Sequence, residues 1–104
     1  MNQADPILMR LRVALTELYG DRLERAMLFG SRARGDARVG SDYDVAVFLT
    51  DMPNRWLELD RLAELRVQFL DEAGVFVDAK PYLAGAHDDR TPLMHEIRQD
   101  GLRL

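Results

Sequence analysis

The chain has no cysteine, a single lysine (Lys80) and no long apolar run. Without cysteine there can be no disulfide framework, thiolate metal site or thiol nucleophile. The longest unbroken apolar stretch runs from Val45 to Leu49, far short of the ~20 residues a membrane-spanning helix needs. The start, Met1-Asn2-Gln3-Ala4-Asp5-Pro6, has no basic region followed by an apolar run, so no signal peptide is expected. Four prolines and seven glycines are too few and too scattered for a low-complexity chain. A surplus of positive charge is also missing: 14 basic and 18 acidic side chains leave a formal charge of −4. General nucleic-acid binders need a concentrated basic face, so direct nucleic-acid binding is not expected. These absences leave a soluble cytoplasmic protein. Its 104 residues, 47% of them apolar, suffice for one modest core and a single domain over 1–104.

What is present follows a mixed pattern. Asp5-Pro6 reads as a helix cap with proline at the first helical position. Leu8, Leu11, Leu15 and Leu18 then recur at helical spacing, and Gly20 closes the segment. Ala26 to Phe29 is a short buried strand, broken by Gly30-Ser31. Arg32 to Ser41 reads as a loop with at most one helical turn, and Asp42 to Leu49 as a second strand. Pro53 opens a helix whose apolar stripe is read as Trp56, Leu59, Leu62, Ala63, Phe69 and Leu70, with Arg55, Glu58, Arg61 and Glu64 off it. Val75 to Ala79 is a third strand, whose continuation Pro81 limits. Thr91-Pro92 starts a short last helix reaching to about Gly101. The order predicts an α/β (α+β) domain, a small sheet covered by helices.

The chemistry is concentrated between residues 30 and 44. In a strand, Asp42 and Asp44 point to one face about 6.5–7 Å apart. Like charges on an otherwise apolar strand repel, and burying them unpaired is costly. A divalent cation removes both problems, and two magnesium ions bridged by carboxylates are a common device for in-line phosphoryl or nucleotidyl transfer. Asp78 interrupts the next strand in the same way. If the strands are neighbours, it joins the other two, binds one metal and takes the proton from an attacking hydroxyl. Gly30 lets backbone approach a phosphate closely, and a strand-to-helix turn points free N–H groups outward, with the Ser31 hydroxyl as a further donor. Arg32 or Arg34 can neutralise triphosphate charge. Arg34 is taken as the site residue, and Arg32 and Arg38 as surface.

Leu28-Phe29-Gly30-Ser31-Arg32-Ala33-Arg34-Gly35 followed by Ser41-Asp42-Tyr43-Asp44 resembles the signature of the DNA-polymerase-β-like nucleotidyltransferases, and within them the minimal MNT domains of prokaryotes. The resemblance covers most of the chain. It implies a small mixed sheet flanked by helices, two Mg²⁺ held by Asp42, Asp44 and Asp78, and ATP as substrate, with Gly30, Ser31 and Arg34 on its phosphates. It also implies a partner, since small MNT domains commonly act as antitoxins of α-helical HEPN ribonuclease toxins and can silence them by adding AMP to a tyrosine. No substrate-binding domain of the kind larger relatives carry is seen, which favours a protein acceptor. Two alternatives stand beside this reading. One is a non-catalytic antitoxin that works by binding. The other is a transferase acting on a small-molecule or RNA hydroxyl.

Among the remaining residues, His87 and His95 have no ligand-spaced partner and are read as surface. Lys80 follows Asp78 by two and could reach the site from the same face. Tyr43 and Tyr82 have no assignable role.

Overall fold

The computed structural model describes residues 5–104, so the reading of Met1 to Ala4 lies outside the described residues. The elements are α1 (Pro6–Tyr19), β1 (Leu23–Phe29), α2 (Ser31–Arg34), β2 (Tyr43–Leu49), α3 (Arg55–Ala73), β3 (Val77–Leu83), α4 (Pro92–Asp100) and β4 (Leu102–Arg103), with 3₁₀ turns at Gly20–Arg22 and Ala84–Asp88. This is the expected mixed α/β architecture. The four strands form one sheet in the order β3-β2-β1-β4. β2 runs antiparallel to β1 and parallel to β3, and β4 is antiparallel to β1. The parallel pair is joined through α3, as a parallel connection requires a crossover. No helix among the described residues is long and apolar enough to cross a membrane.

Local signals set the helix starts. The Asp5 Oδ1 accepts from the Ile7 N–H at 2.8 Å, and Pro6 occupies the first turn of α1. Thr91 caps α4 in the same manner, its Oγ1 accepting from the Met94 N–H. α3 begins at Arg55, because Asn54 is its cap and accepts from the Leu57 N–H. Pro53 therefore lies ahead of the helix rather than in it.

The two faces of the sheet are covered differently. Val45, Val47 and Leu49 of β2, with Ala26, Leu28 and Val77, face α1 and α3 and build the larger core with Leu8, Leu11, Leu15, Leu62, Leu65 and Phe69. Each of the Val, Leu and Phe side chains among them contributes about 1.5–3 kcal/mol on burial. Ala46 and Phe48 point the other way, into a smaller cluster with Met94 and Ile97 of α4.

Several expectations fail, each for a tertiary reason. In α3 the buried positions are Glu58, Leu62, Leu65 and Phe69. Trp56 is 78% exposed, and Ala63, Val67 and Leu70 are also exposed. At 100° per residue, Trp56, Ala63, Val67 and Leu70 form a second apolar stripe nearly opposite the core stripe, and periodicity cannot rank two stripes. Glu58 sinks to 2% exposure because Arg22 (2.8 Å) and Arg61 (3.2 Å) neutralise it. In α1, Tyr19 is buried in place of Leu18. β1 begins three residues earlier than its apolar run, with a register shift between Leu23 and Arg25 that accommodates Glu24. β3 passes through Pro81, which is tolerated because β3 is a sheet edge and needs no N–H on its outer side. His87 is half-buried, edge-on to the Phe48 ring at 5.4 Å, while His95 is exposed.

Candidate active site

β1 ends where β2 and β3 begin, so three chain segments converge at one end of the sheet. In register, Phe29 lies opposite Asp44, and Asp44 lies opposite Asp78. Neighbouring strands are about 4.8 Å apart, and register partners share a face. Asp44 and Asp78 therefore stand side by side, on the face that α4 covers further along. Asp42 lies one residue ahead of β2, exposed, in the loop rather than in the strand. The β2–β3 ladder starts with the Tyr43 N–H donating to the Phe76 carbonyl at 2.8 Å. The three carboxylates thus share one end of the sheet, two on strands and one on a loop.

Their electrostatics follow from this crowding. The Asp44 carboxyl is held above the usual carboxylate range, first by its burial and then by the negative charges of Asp78 and Asp42, with Glu96 of α4 adding to them. Lys80 opposes the shift. It sits two residues along β3, its Nζ 3.9 Å from the Asp78 carboxylate, as its shared face with Asp78 predicts. Among the described residues no three carboxylate or imidazole groups are gathered at ligating separation as they stand. The donor chemistry nevertheless fits a hard divalent cation: oxygen-only ligands, and a net negative charge that raises the affinity of Asp44 for a proton. Asp44 and Asp78 are the residues best placed to hold it, and Asp42 lies exposed in the adjoining loop.

Gly30 forms the opposite wall. Its backbone (φ 75°, ψ −156°) lies in a region essentially reserved for glycine. A Cβ at this position would sit 2.5 Å from the Asp44 Oδ2. Only a residue without a side chain lets the turn pass so close to the carboxylate. After Gly30 the chain enters α2. Its carbonyl accepts from the Ala33 and Arg34 N–H groups, both at 3.1 Å. The first N–H groups of a helix have no acceptor within it, so those of Ser31 and Arg32 are open to an anion, and among the described residues the Ser31 hydroxyl makes no hydrogen bond.

The two arginines of this turn part company. Arg34 is 42% exposed and lies between Asp36 and Glu96, 3.4 Å from each, which places it at the rim of the carboxylate face. Arg32 turns to the other side of the sheet. Its guanidinium lies 4.0 Å from the centre of the Tyr43 ring, and its Nε donates to the Ser41 carbonyl at 3.0 Å. It is therefore neither a site residue nor a free surface residue. Sequence reasoning missed Glu96, which nothing in the pattern of the last helix connects to residues 42–44. It also missed the fit of Gly30 against Asp44, whose only signal was the glycine itself.

Comparison with known proteins bears on the family and the fold. The family model described as polymerase beta, nucleotidyltransferase matches residues 15–104. MJ0141 of Methanocaldococcus jannaschii, whose name assigns it as a protein adenylyltransferase, is 38% identical over 47 residues, 45% of this chain. That match spans 48% of its length, so the chain aligns with about half of this curated relative. A crystal structure of a toxin–antitoxin with AMP-PNP superposes with a TM-score of 0.62 at 23% identity, over 90% of this chain and 69% of that one. A mutant of the MntA-HpeT toxin–antitoxin gives 0.61 at 23% identity, over 92% and 70%. A protein from Shewanella oneidensis gives 0.58 at 20%, over 96% and 71%. At these identities the structural matches establish the shared fold.

Proposed function

The chain belongs to the polymerase-β nucleotidyltransferase family, and we propose that it transfers AMP from ATP to a tyrosine of a cognate HEPN-type toxin and so acts as that toxin's antitoxin. The observation that carries the transferase reading is the register that sets Asp44 beside Asp78, with Gly30 closed against Asp44. A protein acceptor is supported by the name of MJ0141, a toxin partner by the toxin–antitoxin pairs that share the fold, and an adenine nucleotide by the AMP-PNP in one of them. The HEPN class and the tyrosine rest on the resemblance of residues 28–44 to MNT domains.

In the proposed reaction the tyrosine oxygen forms a bond to the α-phosphorus of ATP. The bond from that phosphorus to the bridging oxygen breaks, and pyrophosphate leaves. Asp78, at the half-exposed start of the edge strand β3, receives the tyrosine proton. Lys80 holds the Asp78 carboxylate in place. Gly30 and Ser31 present backbone N–H groups and a hydroxyl to the β- and γ-phosphates, and Arg34 exchanges Glu96 for phosphate oxygen. Two Mg²⁺, held by Asp42, Asp44 and Asp78, would supply positive charge to phosphate oxygens in the transition state.

The test is intact-mass spectrometry of the protein that co-purifies with the tagged chain, before and after addition of ATP and Mg²⁺. A gain of one or more AMP units on that partner, absent with Asp44→Asn, is expected. A stable complex whose unmodified partner gains no mass would overturn the transferase reading and favour neutralisation by binding alone.

A further inference from the structure

We infer that Arg32 is a positioning residue, which clasps the Asp42-bearing loop to the Gly30 turn from the far side of the sheet and leaves Arg34 as the arginine that meets the nucleotide. The inference rests on the transferase reading only for what the positioned loop is for. The geometry itself is independent of it.

Asp42 lies between Ser41 and Tyr43, and Arg32 holds both neighbours. Its Nε donates to the Ser41 carbonyl at 3.0 Å, and its guanidinium stacks 4.0 Å from the Tyr43 ring centre, well inside the ~6 Å reach of a cation–π contact. Each neighbour is fixed in turn. The Ser41 hydroxyl accepts from the Arg38 N–H at 2.9 Å, and the Ser41 N–H donates to the Arg38 carbonyl at 2.9 Å, closing the turn. The Tyr43 hydroxyl donates to the Asp5 Oδ2 at 3.1 Å, while the other oxygen of Asp5 caps α1. Tyr43 is 5% exposed. One side chain therefore connects the phosphate-side turn, the carboxylate loop and, through Tyr43, the start of α1.

The face on which Arg32 lies excludes the competing role. Successive residues of a strand point to opposite faces, so Tyr43 lies on the side of Val45 and the larger core, and Asp44 on the side of Ala46 and α4. Arg32 is stacked on Tyr43, away from the Asp44 carboxylate. Arg34, two residues on, reaches Glu96 of α4 on the carboxylate side. A lysine at position 32 would keep the charge but lose the planar stack and the Nε geometry.

The experiment compares the chain with its Arg32→Lys, Tyr43→Leu and Arg34→Gln variants by hydrogen exchange and by kinetics, with far-UV circular dichroism to confirm folding. Arg32→Lys is expected to speed amide exchange over residues 38–43 at least tenfold. It should also raise the half-saturating Mg²⁺ concentration about 10- to 100-fold, the range for residues that orient metal ligands, with KM for ATP little changed. Tyr43→Leu, which removes the stacking partner but no charge, should reproduce both effects. Arg34→Gln should leave exchange over 38–43 unchanged and raise KM for ATP. Wild-type exchange over 38–43 in Arg32→Lys would overturn the inference, as would a raised KM for ATP at unaltered Mg²⁺ dependence. The exchange measurement needs no transfer activity, so failure of the transferase reading is distinguishable from failure of this one.

Discussion

Replacing Gly30 by alanine tests whether the turn and the carboxylate are built as one unit. The new Cβ would lie 2.5 Å from the Asp44 Oδ2, closer than the 3.0 Å that real Cβ atoms essentially never breach. Asp44 therefore has to retreat by at least about 0.5 Å, and misplacements approaching ~1 Å cost up to ~100-fold in rate. The backbone adds a separate cost. At φ 75°, ψ −156° a side chain is strained by about 1–3 kcal/mol, which lowers the melting temperature of a domain this size by roughly 4–8 °C per kcal/mol. Gly35→Ala is the control: its φ is also positive (84°), but nothing lies within 4 Å of the added Cβ. Melting curves and nucleotidyl-transfer rates of both variants separate the two effects. Both should be destabilised, while only Gly30→Ala should lose about 10- to 100-fold in transfer. Equal transfer losses in the two variants would refute the claim that Gly30 matters through Asp44.

Three further outcomes are expected. Asp44→Asn should raise the melting temperature at pH 7 in the presence of a chelator. A carboxyl held above its unfolded value contributes stability only while protonated, and that contribution is lost as pH rises through the folded value. The advantage of the variant should therefore close below about pH 4, and a lower midpoint at pH 7 would count against the account. Glu58 is the opposite case. Burial raises its carboxyl, but the bonds from Arg22 and Arg61 outweigh this and hold it below the usual range. Its contribution is present above the unfolded value of about 4.3 and lost as pH falls through the folded one. Glu58→Ala should cost about 1.5–3 kcal/mol in urea denaturation at neutral pH, less at pH 4; an unchanged neutral-pH midpoint would contradict it. Trp56→Ser should stay within about 0.5 kcal/mol of wild type, whereas Leu62→Ala loses about 2–5 kcal/mol. Comparable losses would mean that the outer stripe of α3 is core after all.

Much of the site was legible because its signals are local. A cap, a glycine between strand and helix, and two carboxylates separated by one residue each act within a few bonds of where they are read. Asp44 and Asp78 lie on neighbouring strands and Gly30 between strand and helix, as the pattern reads, whereas Asp42 falls in the loop ahead of β2. The resemblance of residues 28–44 to a known family is legible for the same reason. Where the local pattern was degenerate, it misled. Two apolar stripes on α3 are equivalent until a sheet lies against one of them, and a glutamate reads as solvent-facing until two arginines are folded around it. The two-residue strand β4, pairing Arg103 with Met27 and Leu102 with Leu28, is too short to carry any period.

The sequence by itself determined the six longer elements, their order and the chemical types gathered near residue 30 and residues 42–44. The tertiary structure alone decided that β3 pairs parallel to β2 with Asp78 opposite Asp44. It also decided that Glu96 adds its charge from α4, and that two arginines two residues apart serve opposite faces of the sheet. Propensity and capping depend on neighbours along the chain, whereas register, burial and electrostatic coupling depend on neighbours in space.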